Sequence, residues 1–245
     1  MLIYYYDGSF EGLLTSIHEA YYRHENPERI LPARSAQESI FFKCVNILTD
    51  PEKSKKVYNA IAEKISWESL EHIYNVYLSE LEDAGTWIYE YVKLGFKMGN
   101  KLDCYLSDDR VLRIIDTSKK VFGERHGLLG LVRFRQIQKD LYYAPIEPKY
   151  NVTAILAPHF AKRLSGQNWI IHDVRRKIGA VYNKEEWVLS DIDIDPDSPE
   201  LNGADFFQAL WKGYFNNIAI KERINPKLQK RCMPVRYWKY LSEMQ

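Results

Sequence analysis

LVRFRQIQKDLYYAPIEP, residues 131–148, decides the fold. Apolar and polar side chains alternate along it, the period of a half-buried strand, and Pro145 and Pro148 end the pattern. Upstream the period is helical. Phe10, Leu13, Leu14, Ile17 and Tyr21 recur at helix spacing, after a β-prone MLIYYY run that Asp7-Gly8 closes as a turn. Ile40, Phe41, Cys44, Val45 and Leu48 predict a second helix. Asp50 is placed to cap the next one, with Pro51 at its first position. Ser66 caps a helix striped by Leu70, Ile73, Tyr74, Tyr77, Leu78 and Leu81. Trp87, Ile88, Tyr91, Val92 and Leu94 predict another, stopped near Gly99-Asn100, and Asp108 or Asp109 opens a long helix from about Val111.

Downstream, HFAKRL (159–164) reads as a short helix after Ala157-Pro158. NWIIHDV, IGAVY and EWVLSDI read as strands, the last two joined by an Asn183-Lys184-Glu185 hairpin turn. From Gly203 the helical period returns through Phe206, Leu210 and Tyr214. The expected class is α+β. Its N-terminal half is helix-rich with one N-terminal strand, its C-terminal half carries an antiparallel sheet of four or five strands, and helices close the chain. No alternating βαβ pattern supports a parallel sheet. The chain is expected to form a single domain over residues 1–245, mainly helical over 1–130, mainly sheet over 131–192 and helical over 203–245.

Length and composition set outer bounds. A chain of 245 residues, 46% hydrophobic and 27% charged, can bury a sizeable core without disulfides or a structural metal. Cys44, Cys104 and Cys232 are odd in number and far apart, which fits neither a disulfide framework nor a zinc or iron–sulfur ligand set. The acidic start MLIYYYDGSFEG does not read as a signal peptide, and no run approaches the roughly 18 apolar residues of a membrane span. A reduced cytoplasm is the expected compartment.

The net charge of +1 hides a segregated distribution. Residues 123–177 carry ten Lys/Arg against four acids, a balance of +6. Residues 184–205 carry one Lys against eight acids, and residues 206–245 eight basic residues against two acids. The basic blocks suggest phosphate contacts from Arg133, Arg135, Arg163, Arg175, Arg176 and Arg236, with Lys230 and Arg231 beside them and Tyr237 and Trp238 as stacking rings. The bland alternative is a solvated face, or pairing with the acidic segment.

Tests for known chemistry mostly exclude it. DIDIDPDSPE (191–200) places Pro196 and Asn202 where a calcium loop needs Gly and a bidentate acid, so it reads as a polar strand end. There is no H-E-x-x-H, G-x-S-x-G, P-loop or dinucleotide fingerprint, and no metal or cofactor is expected. Cys232 follows Arg231, which would favour a thiolate, although a packed thiol is the commoner reading. His159, His172 and Asp173 are the candidates for acid–base chemistry if the fold brings them together. Strand alternation, however, points the adjacent His172 and Asp173 to opposite faces.

Several blocks together resemble one family. They are YYYDGSFEGLL (4–14), ERHGLLGLVRFRQI (124–137), YYAPIEPKYNV (142–152), LAPHFAKRL (156–164), NWIIHDVRRKIGAVY (168–182) and residues 209–243 around RYWKYLSE. The chain resembles bacterial DNA repair or DNA metabolism proteins of uncharacterised mechanism. The resemblance implies a gene neighbour encoding a radical SAM protein, and a relationship to a domain found fused to uracil-DNA-glycosylase-like domains. This chain shows neither a glycosylase domain nor a closely spaced Cys triplet, so such chemistry is expected of the partner. Three functional expectations follow: a DNA-binding subunit that positions nucleic acid for that partner, an enzyme acting on damaged or modified nucleotides, or an adaptor without DNA contact.

Overall fold

Ser9, Asp50 and Ser66 each turn an extended residue into the start of a helix. The Ser9 hydroxyl accepts from the Gly12 amide at 2.9 Å, the Asp50 carboxylate from the Glu52 and Lys53 amides at 3.0 and 3.1 Å, and the Ser66 hydroxyl from the Ser69 amide at 2.8 Å. They open α1 (Phe10–Tyr22), α2 (Pro51–Lys64) and α3 (Trp67–Leu78). The computed structural model describes residues 2–35, 42–196, 198, 230–241 and 244. The chain divides into two compact units, residues 1–122 and 123–245.

In the first unit, α4 (Ala84–Met98) ends where Gly99 takes φ +63°, a conformation that favours glycine, and α5 (Asp109–Leu131) begins just after Asp108. The Asp108 carboxylate accepts from the Arg110 amide and from its guanidinium at 2.6 Å, which pulls the Asp108 carboxyl down to about 2. Apolar stripes of α1–α4, with Val111, Ile114 and Ile115 of α5, pack into one core around Tyr4, Tyr6 and Ile30.

Two expectations need correction here. The first unit has three strands, not one: β1 (Leu2–Tyr6), β2 (Arg29–Pro32) and β3 (Lys43–Asn46), in the order β2-β1-β3 with both pairings parallel. The sequence pattern also reads a helix over residues 40–48; Ile40 and Phe41 lie outside the described residues, but Cys44 and Val45 are strand. β1 is rich in tyrosine and β-propensity and has two edges to fill, and pairing with a distant segment outweighs a weak local helical pattern.

In the second unit, β4 (Arg135–Gln138) and β5 (Leu141–Ile146) form a hairpin within the stretch read as one strand. Its turn is marked by Asp140 at φ +64°. α6 (Thr153–Arg163) then leads to β6 (Asn168–Asp173), β7 (Ile178–Tyr182) and β8 (Trp187–Asp191), giving one five-stranded sheet in sequential order. The sheet is mostly antiparallel, but β5 pairs with β6 in parallel, across the α6 crossover. The unit is thus α+β with one βαβ step that the sequence pattern does not announce. α6 starts before the HFAKRL segment and carries Pro158 inside it. The Asn183 side chain closes the β7–β8 turn by accepting from the Glu185 and Glu186 amides. Most of the expected closing helical segment, residues 203–245, lies outside the described residues; Val235–Tyr240 form a 3-10 turn.

Candidate functional site

Side chains alternate along β6, so His172 and Asp173 occupy opposite faces of the sheet. The face of Asp173 also carries Trp169 and Ile171. Trp169 stacks on Tyr182 and meets Phe134, which in turn packs against Phe160 of α6. Asp173 is fully buried there. It accepts from the Arg176 amide at 3.1 Å and pairs with the Arg176 guanidinium at 2.9 Å, tying off the turn that follows β6. His159 lies on α6, its ring edge-on to Phe160 at 5.1 Å and its Nε2 buried without a hydrogen bond. Among the described residues no hydrogen bond joins His159, His172 and Asp173 to one another.

The other face holds His172 in a separate array. Its Nδ1 shares a 2.7 Å hydrogen bond with the Tyr143 hydroxyl, and the Arg135 guanidinium sits 5.3 Å above the Tyr143 ring. Arg135 also donates to the Pro196 carbonyl, and Ile192 packs where a Gly179 side chain would stand. Residues 192–196 of the acidic segment therefore fold back over this face. His172 is 1% exposed, with Ile192 and Asp193 close enough to act on its ring. Burial lowers the imidazole pKa from its ordinary 6.5, partly opposed by the Ile192 carbonyl and the Asp193 carboxylate.

The basic residues of this unit are largely engaged with protein groups. Arg176 donates to the Pro148 and Lys149 carbonyls at 3.1 and 2.9 Å in addition to Asp173, and Arg133 to the Gly130 carbonyl at 2.7 Å. Glu124 is a buried hub. Its carboxylate accepts from the Lys149 and Tyr150 amides at 2.9 and 2.8 Å, from Arg236 at 2.8 Å and from the Tyr237 hydroxyl. Tyr237 is 5% exposed, under the Arg236 guanidinium, and the Trp238 indole donates to the Met233 carbonyl at 2.8 Å. Arg163 and Arg175 are the two proposed phosphate contacts whose side chains are exposed and outside these networks.

The first unit carries a constellation that the sequence reading missed. α1 ends in a hook: Arg23 and His24 bond back to Glu19 and Tyr21, Glu25 to Ala20, and His24 takes φ +54°. The hook sets His24, Glu25 and Asn26 beside Tyr21. Across from it, α4 contributes Tyr89, Lys93, Phe96 and Lys97. Together they enclose a cavity of about 500 Å³. A second cavity of about 240 Å³ opens on the other side of Tyr21, bounded by His18, Tyr22, Lys56, Lys64 and the same Phe96. Tyr21 and Tyr22 are 70% and 65% exposed, and the Tyr22 ring stacks on His18 at 4.2 Å. Lys56, Lys64 and Lys97 are exposed, and Lys93 donates to the Asn26 amide oxygen at 2.6 Å.

The nearby acids are already committed. Glu25 accepts from the Tyr4 hydroxyl and Lys43, which hold its carboxyl below the usual range, and Glu19 pairs with Lys53 and Arg23 at 2.8 and 2.6 Å. The groove is thus an exposed aromatic ridge edged by lysines. Its spacing signal was present, since Tyr21, Lys56, Lys64, Lys93 and Lys97 are each at the end or on one side of a helix. It becomes visible only once three helices are phased together.

Among the described residues no helix is long and apolar enough to cross a membrane, and no cluster of three His, Cys, Asp or Glu side chains is placed to hold a metal ion. No curated protein matches the sequence. Residues 82–243, more than half of the chain, match the family model of a domain of unknown function, DUF4130; they take in α4 of the groove, the Glu124 hub and the whole five-stranded sheet, and the chain belongs to that family.

Proposed function

We propose that the chain binds single-stranded nucleic acid along the groove between α1, α2 and α4, as a cytoplasmic DNA repair or DNA metabolism protein. It would hold DNA for a radical SAM partner that performs the chemistry. The observation that carries this reading is the ridge of Tyr21, Tyr22 and Phe96, exposed between two cavities and edged by Lys56, Lys64, Lys93 and Lys97. Rings at that exposure can stack on bases, which contributes roughly 1–3 kcal/mol per base, while ammonium groups neutralise the backbone. Arg163 and Arg175 of the second unit are further candidate phosphate contacts.

The test is fluorescence anisotropy with a labelled oligothymidylate. With about four phosphate contacts the expected slope of log affinity against log salt is about −3, or roughly 50-fold weakening from about 50 to about 200 mM salt. Absence of binding, or affinity independent of salt, overturns the proposal.

A second reading, acid–base chemistry on a modified nucleotide, is supported by one observation, the buried His172 imidazole backed by Tyr143 and Arg135 with its pKa lowered by burial. It requires turnover of a damaged nucleotide that is lost in His172→Gln while single-strand binding is retained. Turnover that survives the substitution removes it.

A further inference from the structure

The first unit has another aromatic surface, and its charge has the opposite sign. Phe10, Tyr58, Trp67, Leu70, Glu71 and Tyr74 line a cavity of about 440 Å³. Two walls face it. On one, Trp67 opens α3 at 68% exposure and meets Tyr58 of α2 edge-on at 6.2 Å. On the other, Phe10 of α1 meets Tyr74 edge-on at 5.2 Å and Tyr77 at 5.1 Å. The Tyr77 hydroxyl is fixed on the Gly8 carbonyl at 2.9 Å, so this wall is anchored to the turn after β1.

Among the described residues the one charged group lining the cavity is Glu71, which is exposed and in no ion pair with any of them. Glu11 adds a second carboxylate close enough to act on the Tyr74 and Tyr77 hydroxyls. Among the described residues no Lys or Arg lines the cavity. Ring faces carry negative quadrupole potential, and a carboxylate beside them adds to it, so an anion is disfavoured and a cation favoured.

We propose that this cavity receives the guanidinium of an arginine side chain from a partner polypeptide, stacked on the Trp67 ring with Tyr58 at its edge and paired with Glu71. A planar guanidinium matches both features, because it stacks on an aromatic face and presents two parallel N–H groups to one carboxylate. A lysine ammonium can do the second only as a point charge. The inference is independent of nucleic-acid binding, since it uses none of the groove residues.

The test uses the full chain and the probe peptide acetyl-Gly-Arg-Gly-amide, followed by tryptophan fluorescence. Trp67→Phe identifies which of the six tryptophans responds and keeps an aromatic wall. Saturable binding with a Kd on the order of a millimolar is expected for one stacked, paired cation. Glu71→Gln should weaken it about tenfold with the melting temperature unchanged, and the lysine counterpart of the peptide should bind several-fold more weakly. No saturation, equal affinity in Glu71→Gln, or a lysine peptide binding as well as the arginine one each overturns the proposal. Tighter binding of tetramethylammonium than of the arginine peptide also overturns it, since that result marks a quaternary-ammonium site.

Discussion

The cations of the second unit and the lysines of the first make opposite use of charge. Residues 123–177 and 206–245 are the more basic on paper, yet Arg133, Arg135, Arg176 and Arg236 donate to protein carbonyls, to Asp173 or to Glu124. In the first unit, lysines are interleaved with glutamates along α2 and α4, so the segment totals say little. Folding sorts Lys56, Lys64, Lys93 and Lys97 to one groove, while Glu25 in its wall is held by Tyr4 and Lys43, and Glu19 by Lys53 and Arg23. Segment charge therefore measures how many cations a stretch owns. Which of them reach solvent is fixed by helix phase and by the acceptors the fold supplies.

The largest effect that could break this contrast is on stability. If the second unit's arginines are structural, Glu124→Gln should destabilise the protein by about 3 kcal/mol, because it weakens the acceptor of two backbone amides, a tyrosine hydroxyl and Arg236 at once. Solvent screens the Arg236 pair, whose guanidinium side chain is about half exposed, so it contributes least of the four. Urea unfolding measures it. A loss under about 1 kcal/mol would mean that the hub is loosely held and its cations available for other work.

Binding comes next. Tyr21→Ala with Tyr22→Ala should weaken oligothymidylate binding by about 10- to 100-fold, the stacking of one or two bases, with little change in stability because both rings are exposed. Replacing Lys56, Lys64 and Lys97 by Gln should weaken binding about tenfold at low salt and flatten the salt slope by about 2, whereas Arg133→Gln should leave both unchanged. Equal effects from the two sets would erase the distinction between the units.

What could be read in advance follows the range of the interaction. Asp50, Ser66 and Asp108 were legible as helix starts because a cap and the amides that donate to it lie within three residues. The Asn183 turn and β7–β8 pairing were legible for the same reason. β3 was not, since its partner strand β1 is some forty residues away and its own four residues contain only one β-branched side chain. The parallel β5–β6 pairing was hidden by α6, whose Pro158 reads as a start and sits inside the helix. For the site, alternation correctly separated His172 from Asp173, but it could not show that Tyr143 would bond His172 or that residues 192–196 would cover it. The groove needed three helices in phase.

The smallest effect concerns the histidines, one in each unit. Burial lowers the pKa of both His172 and His18 below the ordinary 6.5. In the window between each lowered value and 6.5 the unfolded chain binds a proton that the folded chain does not, so stability falls as the pH drops below about 6.5. Each group can remove at most about 1.4 kcal/mol per pH unit there. His172→Gln should therefore reduce the acid sensitivity of unfolding without touching single-strand binding. His18 stacks on Tyr22 in the groove, so its protonation adds a cation beside the proposed backbone path. Binding should tighten as the pH is lowered through the His18 transition, and that tightening should vanish in His18→Gln and persist in His172→Gln. If both substitutions flatten the two profiles alike, the groove and the sheet are not electrostatically separate, and the contrast between the two units fails.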